Sequence, residues 1–553
     1  MSKSTHSHGS QPAQSAYAYP LLIKQLLHTP LAVAPEQEIV YRDLKRYDYW
    51  TLRHRIGQLA SVLGAIGVTQ GDTVAIMDWD SNRYLESYFA IPMMGAVLMT
   101  VNVRLSPGQI AYTINHSGAS VLLVNDEFLS ILEEVRGKLE TVTHCILLTD
   151  ALEPTLPARF VGEYEQMLSA GSPEFVFEDF DEHTRATTFY TTGTTGLPKG
   201  VFFTHRQLVL HTLSLMGALC SAAENGRLHR DDVYMPLTPL FHVHAWGIPY
   251  VATLMGLKQV YPGRYAPDVL LGLIKRERVT FSHCVPTIMH MLLTHPRSSE
   301  VDLSGMTILS GGAALSPGLA RAALERGIDI FSGYGMSETC PVLSLSQGKG
   351  PSEGTEPSEI AWRTKAGRPV ALVDLRIVDE NMRDLPHDGK NAGEIVARAP
   401  WLTQGYFKNA EASELLWQGG YLHTNDVGVI DNEGYLQITD RIKDVIKTGG
   451  EWISSLELEG ILSRHDAVSE VAVIGVRDKK WGERPLAIVV LKANYRDKVG
   501  TGDLQEHVKQ VADEGSVSKF AVPGRVIFVD AIEKTSVGKI NKKFLREKYQ
   551  HTE

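Results

Sequence analysis

Residues 190–201 read "YTTGTTGLPKGV". Within these twelve residues stand four threonines, three glycines, one proline and one lysine. Glycines permit close backbone approach, threonines add hydroxyl donors, and Lys199 supplies one positive charge, a combination that cradles phosphate. No G-K-[ST] ends the stretch and Pro198 breaks the Walker spacing, so it is not a P-loop. In its wider setting, "TTFYTTGTTGLPKGVFFTHRQLVLHTL" (187–213), it reads as strand, loop, short strand and helix. Thr204 with Gln207 forms a capping box, which starts the helix there. A tight surface turn with incidental threonines is the competing reading of the loop taken alone.

The strand-then-helix pattern continues outward on both sides. "YWTLRHRIGQLASVLGAIGV" has helical spacing of leucine and isoleucine, "DTVAIMD" reads as a short buried strand, and "RYLESYFAIPMMGAV" as the next helix. "SVLLVND", "TVTHCILLTD" and "VTFSHCVPT" repeat the strand signal. Such alternation predicts layered α/β architecture with largely parallel sheets. From about Pro369 strands separated by Gly, Asp and Asn turns predict a smaller β-rich subdomain. After "DRIKD" a helix and a strand open a compact α+β tail. Few apolar residues cross 440–444, as at a hinge. The expected division is a disordered tail at 1–16, a large domain at 17–440 and a small mobile lid at 441–553.

A chain of 553 residues, 43% hydrophobic and 21% charged, is ordinary in composition and long enough for more than one domain. Its formal charge of −10 gives no support to nucleic-acid binding. The four cysteines (Cys145, Cys220, Cys284, Cys340) have no metal-like spacing and suggest a reduced cytoplasmic chain. The polar start lacks an apolar core, so no secretory signal is expected. The longest apolar stretch, residues 88–103, is broken by Pro92 and Gly95 and falls short of the ~20 residues of a membrane span. At most peripheral membrane contact is expected.

Further stretches carry chemistry. "FSGYGMSETCP" (331–341) sets glycines at a strand end, then Tyr334, Ser337, Glu338 and Thr339. A carboxylate beside hydroxyls suits a magnesium ion that bridges nucleotide phosphates; a helix cap is the plainer reading. "DRIKDVIKTGGEWISS" sets Arg441, Lys443 and Lys447 before a Gly-Gly turn, and "TSVGK" holds Lys539 in a turn.

Together, "YTTGTTGLPKG", "GYGMSET", "DRIKDVIKTGGEWIS" and "TSVGKINK", in that order, resemble the adenylate-forming superfamily of acyl- and aryl-CoA ligases, luciferases and peptide-synthetase adenylation domains. The resemblance runs from about residue 35 to 546. It implies a large N-terminal domain of packed sheets and helices with a β-rich part, and a small lid that rotates between two half-reactions. It implies ATP and CoA as co-substrates with Mg²⁺: carboxylate and ATP give acyl-adenylate and pyrophosphate, and CoA thiol then displaces AMP.

Carried over to this chain, the resemblance puts Thr191, Thr192, Gly193, Thr194, Thr195, Gly196 and Lys199 on the phosphates, with Thr191 and Glu338 at the magnesium. Val243, Gly311, Gly312, Ala313, Gly333 and Tyr334 would line the adenylate site, and Ser337 and Thr339 would face phosphate. Asp426 and Arg441 would hold the ribose; Lys443 falls at the hinge, Lys447 on the nucleotide side, and Trp452 on the adenylate. Lys539 would bridge carboxylate and α-phosphate during adenylation, and Gly449, Gly450 and Glu451 would help form the CoA channel. Asn425 stands where many relatives have glycine, and asparagine tolerates left-handed geometry.

"FHVHAW" and "GGEWIS" resemble medium- and long-chain fatty acyl-CoA synthetases, in which a tryptophan matching Trp246 gates the acyl tunnel. His242 and Val285 would belong to that site, His242 as a positioning residue, while His244 replaces the usual asparagine. "SHCVPTIMHMLL" (282–293) is expected to supply an apolar lining. The substrate expected is a fatty acid. An aryl acid such as benzoate or cinnamate, a luciferase-like oxygenase and a non-catalytic acyl-binding protein are the alternatives; a dead relative would be expected to lack Glu338, Asp426 or Lys539. The resemblance also suggests a homodimer.

Overall fold

The computed structural model describes residues 13–191, 197–221, 227–348, 359–448, 451–496, 498–514, 517–535 and 539–550. Residues 1–12 of the expected tail lie outside them. The opening stretch folds as its sequence predicts. Strand Arg185–Thr191 runs antiparallel to Lys199–Thr204, and helix His205–Cys220 follows. The Thr204 amide donates to the Gln207 side chain at 2.8 Å, and the Gln207 amide donates back to Thr204 Oγ1 at 3.3 Å.

That hairpin ends a seven-stranded sheet in the order Phe160–Glu163, His144–Leu148, Ala119–Asn125, Thr73–Met77, Val97–Thr100, Arg185–Thr191, Lys199–Thr204. All neighbours but the last pair are parallel. A nine-stranded sheet carries Asp329–Gly335, Thr307–Ser310, Phe281–Cys284, Val233–Leu237, Lys258–Tyr261 and Glu38–Tyr41 as its parallel centre. Parallel strands need both faces covered. Helix Asn82–Met93 meets that need: every one of its residues is buried, within the large core it shares with the seven-stranded sheet. A second core lies on the other face of the nine-stranded sheet, against helices Pro267–Glu277, Pro286–Thr294 and Pro317–Leu324.

The expected β-rich part is a four-stranded antiparallel sheet of Asp374–Val378, Gly393–Arg398, Leu422–Ile430 and Leu436–Arg441. A further sheet begins at Ile446–Thr448 and is built on Val468–Asp478 and Gly482–Leu491, with its own apolar clusters. The four cysteines are free. Among the described residues no helix is long and apolar enough to cross a membrane.

Candidate active site

Strand ends of the nine-stranded sheet open onto one cleft. Its walls include His242, Val243, Trp246, Gly311, Gly312, Gly333, Tyr334, Ser337 and Lys539, all named from sequence. Gly311 and Gly312 follow strand Thr307–Ser310, and Gly333 and Tyr334 end strand Asp329–Gly335. The glycines are needed for approach. A Cβ on Gly311 would lie 3.1 Å from the Trp246 indole, and one on Gly312 would lie 3.2 Å from Lys539 Cε and 3.3 Å from Val285 Cγ1.

Tyr334 donates its hydroxyl to Asp426 Oδ2 at 2.9 Å, and Arg441 Nε donates to Oδ1 at 3.0 Å. Asp426, 6% exposed, thus accepts from one neutral and one cationic donor. Asn425 before it takes φ +57°, the left-handed geometry its sequence allowed.

Glu338 lies in the short turn Ser337–Thr339 and is 6% exposed. Burial pushes its carboxyl up; the Tyr406 hydroxyl, donating at 2.7 Å, and the charges of Lys199 and Lys539 pull it back. Lys199 Nζ sits 4.5 Å from the Tyr406 ring centroid, a cation–π distance. Thr191 pairs with Lys199 across the hairpin, while Thr192, Gly193, Thr194, Thr195 and Gly196 lie outside the described residues. Thr339 is fully buried, and its hydroxyl accepts from the Met336 amide at 2.9 Å. It closes the turn on Met336, and Thr339 does not occur among the described residues lining the cleft.

Lys539 reaches the cleft just ahead of helix Lys542–Tyr549, its carbonyl accepting from the Thr535 amide at 2.6 Å. Burial and the Arg441 charge lower its ammonium to about 8, against the pull of Asp426 and Glu338. A desolvated cation beside two carboxylates is a site for a group with more negative charge. Lys447 and Glu451 stand instead on the hairpin Ile446–Thr448 and Glu451–Ile453, and neither occurs among the described residues lining the cleft. Ala313 is exposed beside Gly312. Burial lowers the Lys443 ammonium, with Arg441 adding to the effect. Trp452 pairs with Lys447 through its backbone. Gly449 and Gly450 lie outside the described residues.

Val243, His244, Ala245, Trp246 and Gly247 run consecutively through positive φ, from +46° to +75°. Four of them carry side chains, and each such residue costs about 1–2 kcal/mol in this region. Strain is thus concentrated on the backbone that presents Trp246. His244 anchors the turn. It has no exposed surface, and its ring lies 5.2 Å from that of Phe189 and 5.9 Å from that of Tyr88. Burial lowers it to about 3, so it is a neutral aromatic wedge. His242 is lowered to about 3 by burial and by Lys539, which leaves a positioning group and not a base at neutral pH.

Two expectations need correction or addition. The segment 282–293 does not line one wall: Val285 borders the cleft, but Cys284, Met289 and Leu292 pack into the core on the far face of the sheet. Alternation along Phe281–Cys284 turns Cys284 to the far face, and helix Pro286–Thr294 lays Met289 and Leu292 against the same core. Tyr406 belongs to the site and no sequence pattern marked it; its partner Glu338 is distant in the chain.

The profile described as "AMP-binding enzyme" matches residues 27–407, and that described as "AMP-binding enzyme C-terminal domain" matches 457–539. The chain belongs to the AMP-binding enzyme family. Among its relatives, a long-chain-fatty-acid–CoA ligase of Thermus thermophilus is 39% identical over 95% of both chains. A 3-methylmercaptopropionyl-CoA ligase of Ruegeria pomeroyi is 38% identical over 89% of this chain and 90% of its own. The ATP-bound structure of MatB from Rhodopseudomonas palustris superposes with a TM-score of 0.81 at 25% identity, covering 96% of this chain and 99% of that one. The adenylate-forming fold read from the motifs is the fold observed, with its large sheet-and-helix domain and smaller C-terminal one.

Proposed function

We propose that this chain is an ATP-dependent fatty acid–CoA ligase. As a member of its family it is an AMP-forming acyl-CoA ligase; the fatty acid and the residue roles are our reading. The observation that carries it is Lys539, from the C-terminal part, meeting Gly312, Trp246 and the Tyr334–Asp426–Arg441 cluster in one cleft.

In this reading Asp426 accepts from both ribose hydroxyls, and Lys199 with the 191–196 loop holds the phosphates. A carboxylate oxygen of the acid attacks the α-phosphorus, the bond to the β-phosphate breaks, and pyrophosphate leaves. Lys539, held protonated by the incoming negative charge, stabilises the charge on the pentacoordinate phosphorus. CoA sulfur then attacks the acyl carbon, the bond to AMP breaks, and the thiol proton is released. Mg²⁺ fits here: Glu338 is a buried carboxylate that burial pushes up, and among the described residues a hydroxyl, a backbone amide and the charges of two lysines only partly offset it. Glu338, with Thr191, would hold the ion, which would supply charge to the departing pyrophosphate.

The 441–553 lid turning about Lys443, the CoA channel at 449–451, a homodimer and a cytoplasmic setting belong to the same proposal. The test is pyrophosphate release with and without CoA, over straight-chain acids of four to eighteen carbons plus benzoate and cinnamate. Alkyl acids should lead and should need CoA for multiple turnover. A lead by the aryl acids would overturn the fatty-acid reading.

A further inference from the structure

Trp246 separates the cleft from a pair of buried polar rings that the reaction does not use. One edge of its indole meets Gly311 at the cleft. The indole also packs on His283, with ring centroids 5.1 Å apart. His283 has no exposed surface, and its Nε2 lies 2.9 Å from the hydroxyl of Tyr234, which is equally buried. The two rings are nearly parallel, at 12°. Tyr234 Oη and His283 Nε2 share one hydrogen bond, and the Tyr234 hydroxyl makes no other to the described residues. The His283 Nδ1 is buried without a partner among the described residues.

The sheet beyond is polar as well. Gln259, beside Tyr234 in the sheet, donates to Tyr49 Oη at 2.8 Å and Thr253 Oγ1 at 3.0 Å, and accepts from Tyr261 at 2.7 Å. The apolar side chains that sequence offered as a tunnel wall, Met289 and Leu292, belong to the other core.

We infer that His283, held by Tyr234, is the floor of the acyl site and limits this chain to medium-chain or shorter acids. The inference rests on the fatty acid–CoA ligase reading. An alkyl chain that takes the place of the indole meets His283 next. To continue it must move the imidazole and break the bond to Tyr234. Two buried polar groups would then be unpaired, at about 1–3 kcal/mol each, which costs more than burying the next one or two methylenes gains at about 0.8 kcal/mol each. The floor is thus set by a polar pair and not by the depth of an apolar groove.

The test is kcat/KM for the acid series, read as CoA-dependent pyrophosphate release by the full chain. The wild type should reach a medium-chain optimum and then fall by roughly ten-fold or more per methylene that does not fit. His283→Ala should move the fall to acids at least two methylenes longer and raise their kcat/KM by about ten-fold or more, leaving the KM for ATP unchanged. His283→Leu, which refills the space but leaves no imidazole to pair with Tyr234, should also move the fall to longer acids, and a wild-type limit kept in that variant overturns the polar floor. A wild-type profile still rising at sixteen and eighteen carbons overturns the floor. So does an unmoved limit in a folded His283→Ala protein; should that variant not fold, the wild-type profile decides. Turnover with no acid at all overturns the ligase reading, and the floor with it.

Discussion

The hydroxyl of Tyr406 donates to Glu338 at 2.7 Å while its ring lies under the Lys199 ammonium at 4.5 Å. One side chain thus ties the end of the 190–201 stretch to the 331–341 stretch. Tyr406→Phe keeps the ring under Lys199 and removes the donor. Burial raises the Glu338 carboxyl and the Tyr406 bond lowers it, so the variant raises it further. At a given pH less of it is ionised, and the acidic limb of kcat/KM should move to higher pH. The Mg²⁺ needed for half-maximal rate should rise as well. A pH profile and a Mg²⁺ titration check this, and an unmoved limb would take the pair out of the reaction.

Asp426 carries both ribose contacts in our reading, whereas the hydroxyl of Tyr334, whose ring lines the cleft, only orients Asp426. Asp426→Asn should therefore raise the KM for ATP by about ten- to a hundred-fold, the worth of charged hydrogen bonds at roughly 1.5–3 kcal/mol. Tyr334→Phe should raise it by a few-fold, the worth of one neutral bond at about 0.5–1.5 kcal/mol. Steady-state kinetics in ATP separates the two; equal losses would mean that Tyr334 contacts the nucleotide itself.

Much of this arrangement was legible in the residues. Thr204 and Gln207 announce a helix start because capping is local chemistry, and Asn425 at φ +57° follows from what asparagine tolerates. The cleft residues were legible because each lies in a short stretch of unusual composition. Tyr406 and His283 were not, since nothing local marks them and their partners are distant in the chain. The left-handed run was hidden for another reason. "VHAWG" has no glycine before Gly247, so its backbone is dictated by what His244 packs against and not by propensity.

Gly335 illustrates a requirement of close approach. A Cβ there would lie 1.7 Å from the carbonyl oxygen of Pro341 and 2.6 Å from its carbon, both backbone atoms that cannot swing aside. Gly335→Ala should cost more than about 3 kcal/mol and lower the melting temperature and the soluble yield. Gly108, in the first turn of helix Pro107–Ser117, has open space at its Cβ position. Gly108→Ala should be neutral or stabilising by up to about 1 kcal/mol. Thermal melts of the two variants decide; similar melts would mean that the 331–341 turn relaxes freely.

Lys539 offers the sharpest division between the half-reactions. Its ammonium is lowered to about 8 in the free protein, so it is mostly charged at pH 7 and loses its charge as pH rises through about 8. For adenylation, kcat/KM reports the free enzyme and should fall on the alkaline side near that value. Thioester formation from supplied acyl-adenylate should show no such limb, because in our reading Lys539 has by then left the cleft. Lys539→Ala should slow adenylation by about a hundred-fold or more, as the loss of one preorganised charge does elsewhere, and leave the second half-reaction near wild type. Lys539→Arg should abolish the alkaline limb, since a guanidinium keeps its charge, at whatever rate its bulkier head allows. Pyrophosphate exchange for the first step and acyl-CoA appearance for the second measure the two arms. Equal loss in both would assign Lys539 to holding the C-terminal part in place and not to the phosphorus.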